Sequence, residues 1–245
     1  MLVKDCDESV VAIYFAFPKC ASEWVRNAYQ LFWQNSYESH NWDACPLSYC
    51  HVRPSRFVAA HGDDVPLFTI VRNTHSRLAS AWLYGKTHNY GYALSFPKFP
   101  DFVRAVCEVA TRTRKFRDFE MEMNRQVMLR RPLWPQEAAE GSDGAMAWMY
   151  MPVDMYFETL LPKITMFVME EDGTRKLHRA LTEDLGARAI DNANPMQHIN
   201  ISKPGVVAEL VSHTFTADAE LVERVKEAFE YEIDRWGFTP PTLLL

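Results

Sequence analysis

Apolar positions along the chain alternate between two spacings. Residues 10–17, VVAIYFAF, are consecutive apolar residues, β-branched and aromatic, the pattern of a strand buried on both faces of a parallel sheet. The following SEWVRNAYQLFWQ puts Trp24, Ala28, Leu31 and Phe32 on one helical face, with Ser22 at the N-cap position. A second buried strand, VPLFTIV, spans 65–71 and runs into RNTHSRLASAWLYG, whose latter part is helical. Residues 96–131 read as mostly helical, with apolar side chains at 99, 102, 103, 106 and 110 and basic ones toward the C-terminal end, where the helix dipole favours them. ITMFVM at 164–169 reads as a third buried strand, 173–186 as a helix closing on Gly186, and about 216–236 as a final helix capped by Thr216. Residues 36–56 read as a long aromatic-rich loop with a short edge strand, and AAEGSDG at 138–144 as a surface loop. No repeat interrupts this order. It predicts an α/β fold, a parallel central sheet with helices on both faces, in a single domain over 1–245.

Composition narrows the function classes. A net charge of -6 over 245 residues opposes nucleic-acid binding, which needs a broad basic footprint. The 13% aromatic content, with seven Trp, suits a wide core or an apolar cleft near the surface. The longest apolar run is too short to span a bilayer, so no membrane association is expected. MLVKDCDESV carries three acids and no apolar core, so no secretory signal is expected either. The expected location is the cytoplasm, with the five cysteines as thiols. Cys45, Cys50 and His51 in CPLSYCH fit no common zinc spacing, and no metal is expected. Trp33, Tyr37, Trp42 and Tyr49 suit loop packing, or stacking against an aromatic or sugar acceptor.

The candidate chemistry begins where the first strand meets its helix, in FPKCASEW. A helix N-terminus offers unpaired N–H groups and partial positive charge, so it binds anions. Lys19 follows the strand and Ser22 adds a hydroxyl donor; the alternative is an ordinary turn with a solvent-facing lysine. GxxxxGK[ST] is absent, which disfavours an ordinary P-loop nucleotidase. The second strand delivers Arg72 at its C-terminal end, where ligands of open α/β sheets collect, and Ser80 follows eight residues on. A guanidinium and a hydroxyl suit a second phosphate, unless they are a surface ion pair and a helix-packing serine.

These stretches resemble the sulfotransferases. FPKCASEW is similar in length and layout to their 5′-phosphosulfate loop, PKSGTTW. FTIVRNTHSRLASAWLY resembles the FTFVRNPxxRLxSAYxY segment of the carbohydrate-modifying, second-family type, with the same Arg-to-Ser spacing. AAHGDDVPLFTIVRN, MNRQVMLRR, ITMFVMEEDGTRKLHRALTEDLGA and HINISKPG extend the likeness over roughly 11–237. The resemblance implies a P-loop-like fold and the donor 3′-phosphoadenosine 5′-phosphosulfate, with adenosine 3′,5′-bisphosphate as product and no metal. It implies that Lys19, Cys20, Ala21, Ser22, Glu23 and Trp24 form the 5′-phosphosulfate loop. Arg72 and Ser80 would hold the 3′-phosphate, and Lys203 with Gly205 would belong to a basic loop closing on it. The acceptor would be a carbohydrate or another small hydroxyl- or amine-bearing molecule.

Transfer to a hydroxyl needs a base for the acceptor proton and a cation for charge on the leaving phosphate. Lys19 suits the second role. His61, just before the second strand, is the first choice of base, with His88 and Glu23 behind it. Three departures stand out: Ala21 where glycine is usual, Glu23 for a Thr or Ser, and Thr74 for the proline after RN. Ala21 and Glu23 keep open a noncatalytic protein that binds adenosine bisphosphate or a partner, and the fold class also admits a P-loop small-molecule kinase, which lacks the Walker A pattern here.

Overall fold

A computed structural model describes residues 2–4, 6–7, 9–20, 25, 28, 54–130, 146–189 and 204–240. Their contacts divide the chain into two compact units that alternate along it. One comprises Met1–Arg72 with Thr159–Asn200, the other Asn73–Glu158 with Ile201–Leu245.

The first unit is α/β. Strands β1 (Leu2–Lys4), β2 (Val10–Tyr14), β3 (Leu67–Val71) and β4 (Ile164–Val168) form one sheet in the order β1-β2-β3-β4. β2, β3 and β4 are mutually parallel, and β1 adds an antiparallel edge against β2. The three parallel strands are those read from the apolar runs; every residue of β3 is buried, as a strand with no polar face requires. β2 ends three residues before its apolar run does. Phe15, Ala16 and Phe17 stay buried but leave the ladder, the amide of Phe15 donating to the Phe68 carbonyl at 2.8 Å. Val25 and Ala28 beyond the loop are helical and buried; of the expected apolar face, Ala28 is the one described residue.

Helix α1 (Pro54–His61) precedes β3, so the end of the expected loop is helical. Phe57 on α1 sets its ring edge-on to Phe15, centroids 5.9 Å apart. After β4 the chain makes a 3₁₀ turn, Met169–Glu171, then helix α7 (Gly173–Arg179) and a π turn, Ala180–Asp184, before Gly186 at φ +66. α7 packs on β3 and β4. Its first residue has to be glycine: a Cβ on Gly173 would lie 2.7 Å from the Val168 carbonyl carbon and nearer still to its oxygen. Gly173→Ala must displace backbone against backbone, and a loss of about 1–3 kcal/mol is expected from urea denaturation. A variant of unchanged midpoint would mean that α7 does not start against β4.

The second unit is helical. It contains α2 (Thr74–Thr87), α3 (Gly91–Ser95), α4 (Phe99–Arg112), α5 (Phe116–Leu129), α6 (Val153–Phe157), α8 (Pro204–Ala217), α9 (Ala219–Ala228) and α10 (Glu230–Trp236). Its core is aromatic: Tyr92, Phe102 and Tyr150 meet in a cluster with centroids 4.9–5.7 Å apart. The single helix expected over 216–236 is three helices. Thr216 lies inside α8, and Asp218 is the cap that starts α9, its side chain accepting from the Leu221 amide at 2.9 Å. Gly205, expected in a closing loop, sits in the first turn of α8.

A buried ion pair ties this unit together. Arg77 on α2 and Glu232 on α10 are both sealed from solvent. Arg77 donates to both Glu232 carboxylate oxygens, at 2.9 and 3.2 Å, and to the Met151 carbonyl at 3.0 Å. Glu232 also accepts from the Thr74 hydroxyl at 2.5 Å and the Val153 amide at 2.8 Å. Three helices, α2, α6 and α10, are thereby joined through one carboxylate.

Candidate functional site

β2 and β3 run parallel, so the residues that leave their C-terminal ends emerge on one edge of the sheet. Lys19 and Cys20 follow β2, and Arg72 follows β3 directly. The exit from β2 is clamped at Phe15: besides the bond from its amide, its carbonyl accepts from the buried Thr69 hydroxyl at 2.8 Å. This fixes the start of the loop against β3. Lys19 then takes φ +61, the left-handed region that costs a non-glycine residue about 1–2 kcal/mol. The left-handed backbone that a glycine would relieve thus falls on the lysine itself. Cys20 is fully buried.

Arg72 is the most informative side chain of this edge. Only 11% of it is exposed, yet its guanidinium makes no hydrogen bond among the described residues. It faces the anion Glu170, with Nε 3.8 Å from Oε1, and that carboxylate is 43% exposed. Burial pulls the Arg72 pKa below its ordinary value, against the opposing charges of Glu170 and Cys20. Glu170 lies inside the stretch ITMFVMEEDGTRKLHRALTEDLGA, but no role is assigned to it there. It lies in the 3₁₀ turn after β4, and the register Val71↔Val168 brings that turn alongside Arg72. Its signal in the sequence is an acidic pair just past an apolar strand.

No family model, curated protein or solved structure matches this chain. The site therefore stands on its own geometry and on the resemblance of its motifs.

The other expected residues fall elsewhere. Ala21, Ser22, Glu23, Trp24 and Lys203 lie outside the described residues, as do Cys45, Cys50, His51 and the aromatic residues at 33, 37, 42 and 49. Ser80 is in α2 of the second unit, where its buried hydroxyl has no hydrogen-bond partner among the described residues. His88 caps the C-terminal end of α2, its ring 4.3 Å from that of Tyr84 and 5.7 Å from that of Tyr90. Asn73, which no chemical argument singles out, caps the start of α2. Its side-chain oxygen accepts from the Ser76 amide, and its nitrogen donates to the Thr239 carbonyl at 2.8 Å.

The position of His61 in the chain bears on the choice of base. It ends α1, and the chain reaches β3 only six residues later. Asp63, two residues on, pairs with Lys163, which immediately precedes β4. The backbone at 61–63 thus lies at the N-terminal side of β3 and β4, while Lys19, Arg72 and Glu170 emerge on the C-terminal side. A five-residue strand separates those two sides by about 13 Å. The position where the resemblance implies a base is the last residue of α1, with its backbone toward the N-terminal side of β3.

His75 is the buried titratable group of α2. Neither ring nitrogen has a hydrogen-bond partner among the described residues, and the ring packs edge-on to Phe215 at 4.7 Å. Burial pushes its pKa down to about 4. An unfolded histidine titrates near pH ~6.5, so the unfolded chain binds more protons between these values. Stability due to the neutral ring is complete above pH ~6.5 and is lost as pH falls toward ~4, by at most about 3 kcal/mol. His75→Leu should flatten that slope in urea titrations across this window. A variant keeping the full slope would assign it to another group.

Among the described residues, no group of three or more His, Cys, Asp and Glu is placed to hold a metal ion. No helix among them is long and apolar enough to cross a membrane.

Proposed function

We propose that the chain is a sulfotransferase with a P-loop-like fold that moves a sulfuryl group from 3′-phosphoadenosine 5′-phosphosulfate to a hydroxyl or amine of a small acceptor. The observation that carries this reading is Arg72, a largely buried guanidinium without a hydrogen bond among the described residues, on the same sheet edge as the Lys19 loop. Arginine suits a phosphate because its fork presents two parallel donors. Lys19 neutralises charge growing on the phosphate oxygen as the S–O bond to the donor breaks. Ser80 and Lys203 enter the reading through the resemblance alone.

The backbone at 61–63 lies toward the other end of β3, which favours Glu23, next to the Lys19 loop in sequence, over His61 as the base. Three residues beyond Cys20, Glu23 cannot be more than about 11 Å from it along the chain. Glu23→Gln should therefore lower turnover by about 100-fold or more while bisphosphate binding is kept, and His61→Ala should retain most activity. The reverse result would restore His61 as the base.

Calorimetry with adenosine 3′,5′-bisphosphate, against ATP with magnesium, tests the donor class. Preference for ATP would overturn the proposal in favour of a kinase. Bisphosphate binding without transfer of labelled sulfate to any of a broad panel of hydroxyl and amine acceptors would favour the noncatalytic alternative.

A further inference from the structure

The contact between Arg72 and Glu170 has the wrong dimensions for a structural ion pair. At 3.8 Å it is longer than a charge-assisted hydrogen bond, and it joins a largely buried cation to a carboxylate that is 43% exposed. The buried pair of the second unit shows what a structural arrangement looks like in this chain: both partners sealed, and donor and acceptor 2.9 Å apart. Glu170, which has a further interaction of its own, is far more exposed than the guanidinium it faces, and that guanidinium makes no hydrogen bond among the described residues.

We infer that Glu170 is a specificity-determining residue of the Arg72 anion site, a built-in competitor that lowers its affinity for lone anions. Inorganic phosphate or sulfate approaching Arg72 meets the Glu170 carboxylate at close range, and that repulsion opposes binding. A ligand anchored elsewhere on the same edge overcomes it, because its second anionic group makes the encounter at Arg72 intramolecular. The site is then reserved for ligands with two separated anionic groups. This rests on the proposed reading for the identity of the two-headed ligand, but not for the competition itself, which concerns any anion at Arg72.

The geometry gives Glu170 its position. Gly173 lets α7 start against the Val168 carbonyl, so the turn carrying Glu170 stays close to the end of β4. Its neighbour Glu171 directs its charge elsewhere, 3.7 Å from Lys176. Glu171 therefore supplies the control for an effect of net charge alone.

Full-length wild type, Glu170→Gln, Glu170→Asp, Glu171→Gln and Arg72→Ala would be titrated with inorganic phosphate at low and high salt, and with adenosine 3′,5′-bisphosphate. Glu170→Gln is expected to bind phosphate about tenfold more tightly than wild type, the change given by about 1.4 kcal/mol of relieved repulsion. The gain should shrink as salt rises and should vanish when Arg72→Ala is added. Glu170→Asp and Glu171→Gln should bind phosphate as wild type does. Equal or weaker phosphate binding by Glu170→Gln overturns the inference, as does an equal gain in Glu171→Gln. Should Glu170→Gln be unstable without ligand, the rise in its melting temperature per added phosphate, compared with that of wild type, tests the same difference in affinity. Failure of the bisphosphate to bind any variant, with the phosphate pattern intact, would overturn the sulfotransferase reading and leave the competition standing.

Discussion

Glu232→Ala is expected to cost about 3–5 kcal/mol of folding free energy, a large share of the stability of an ordinary domain. The substitution removes the carboxylate that compensates Arg77, whose guanidinium stays sealed from water beside the neutral Met151 carbonyl. It also strips the Thr74 hydroxyl and the Val153 amide of the oxygen they donate to. Each unmade buried bond adds about 1–3 kcal/mol of desolvation that nothing offsets, apart from relaxation or water entry. The reciprocal change, Arg77→Ala, should be of similar size because it buries a lone carboxylate. Replacing both, as Arg77→Met with Glu232→Leu, should recover much of the loss, since an apolar pair escapes the desolvation cost. Urea denaturation of the two single variants and the double variant completes the cycle. If the double variant loses the sum of the single losses, the two side chains are not coupled and the pairing is wrong.

This pair also shows where sequence reasoning stops. β3 was legible because a strand buried on both faces must be apolar at every position; β2 and β4 were legible from runs that are apolar almost throughout, although β4, read as fully buried, is exposed at Thr165 and half-buried at Met166 and Phe167. Only the latter part of the helix after β3 was legible; its start at Thr74, capped by Asn73, was not. The break at Asp218 was not, because a continuous helical periodicity runs through it; only the cap geometry separates α8 from α9. Glu232 sits in EYEIDRW among other acids and reads as part of a solvated face, although it is only 1% exposed. In the site, strand ends pointed to Lys19 and Arg72 directly, since the C-terminal edge of a parallel sheet is fixed by chain direction alone. Glu170 depends on the register of β3 with β4, and His61 on the direction of α1. Both are tertiary facts that no local pattern encodes.

Arg72→Ala is expected to lower affinity for adenosine 3′,5′-bisphosphate by about 100-fold or more, because two charge-assisted hydrogen bonds of about 1.5–3 kcal/mol each would be lost. The loss should be selective. Adenosine 5′-monophosphate, lacking the second phosphate, should bind the variant and the wild type nearly alike, so the preference for the bisphosphate disappears. Arg72→Lys should recover only part of the affinity, since an ammonium cannot reproduce the two parallel donors. The stability of Arg72→Ala separates a binding residue from a structural one. Arg77, bonded to both oxygens of its carboxylate, stabilises the fold; Arg72 is desolvated and has a long contact to a part-exposed carboxylate. Removing Arg72 should therefore leave the urea midpoint unchanged or raise it, the usual signature of a residue kept for function at some cost in stability. Loss of several kcal/mol in Arg72→Ala, with bisphosphate affinity retained, would make Arg72 a structural cation and end the case for an anion site at this edge of the sheet.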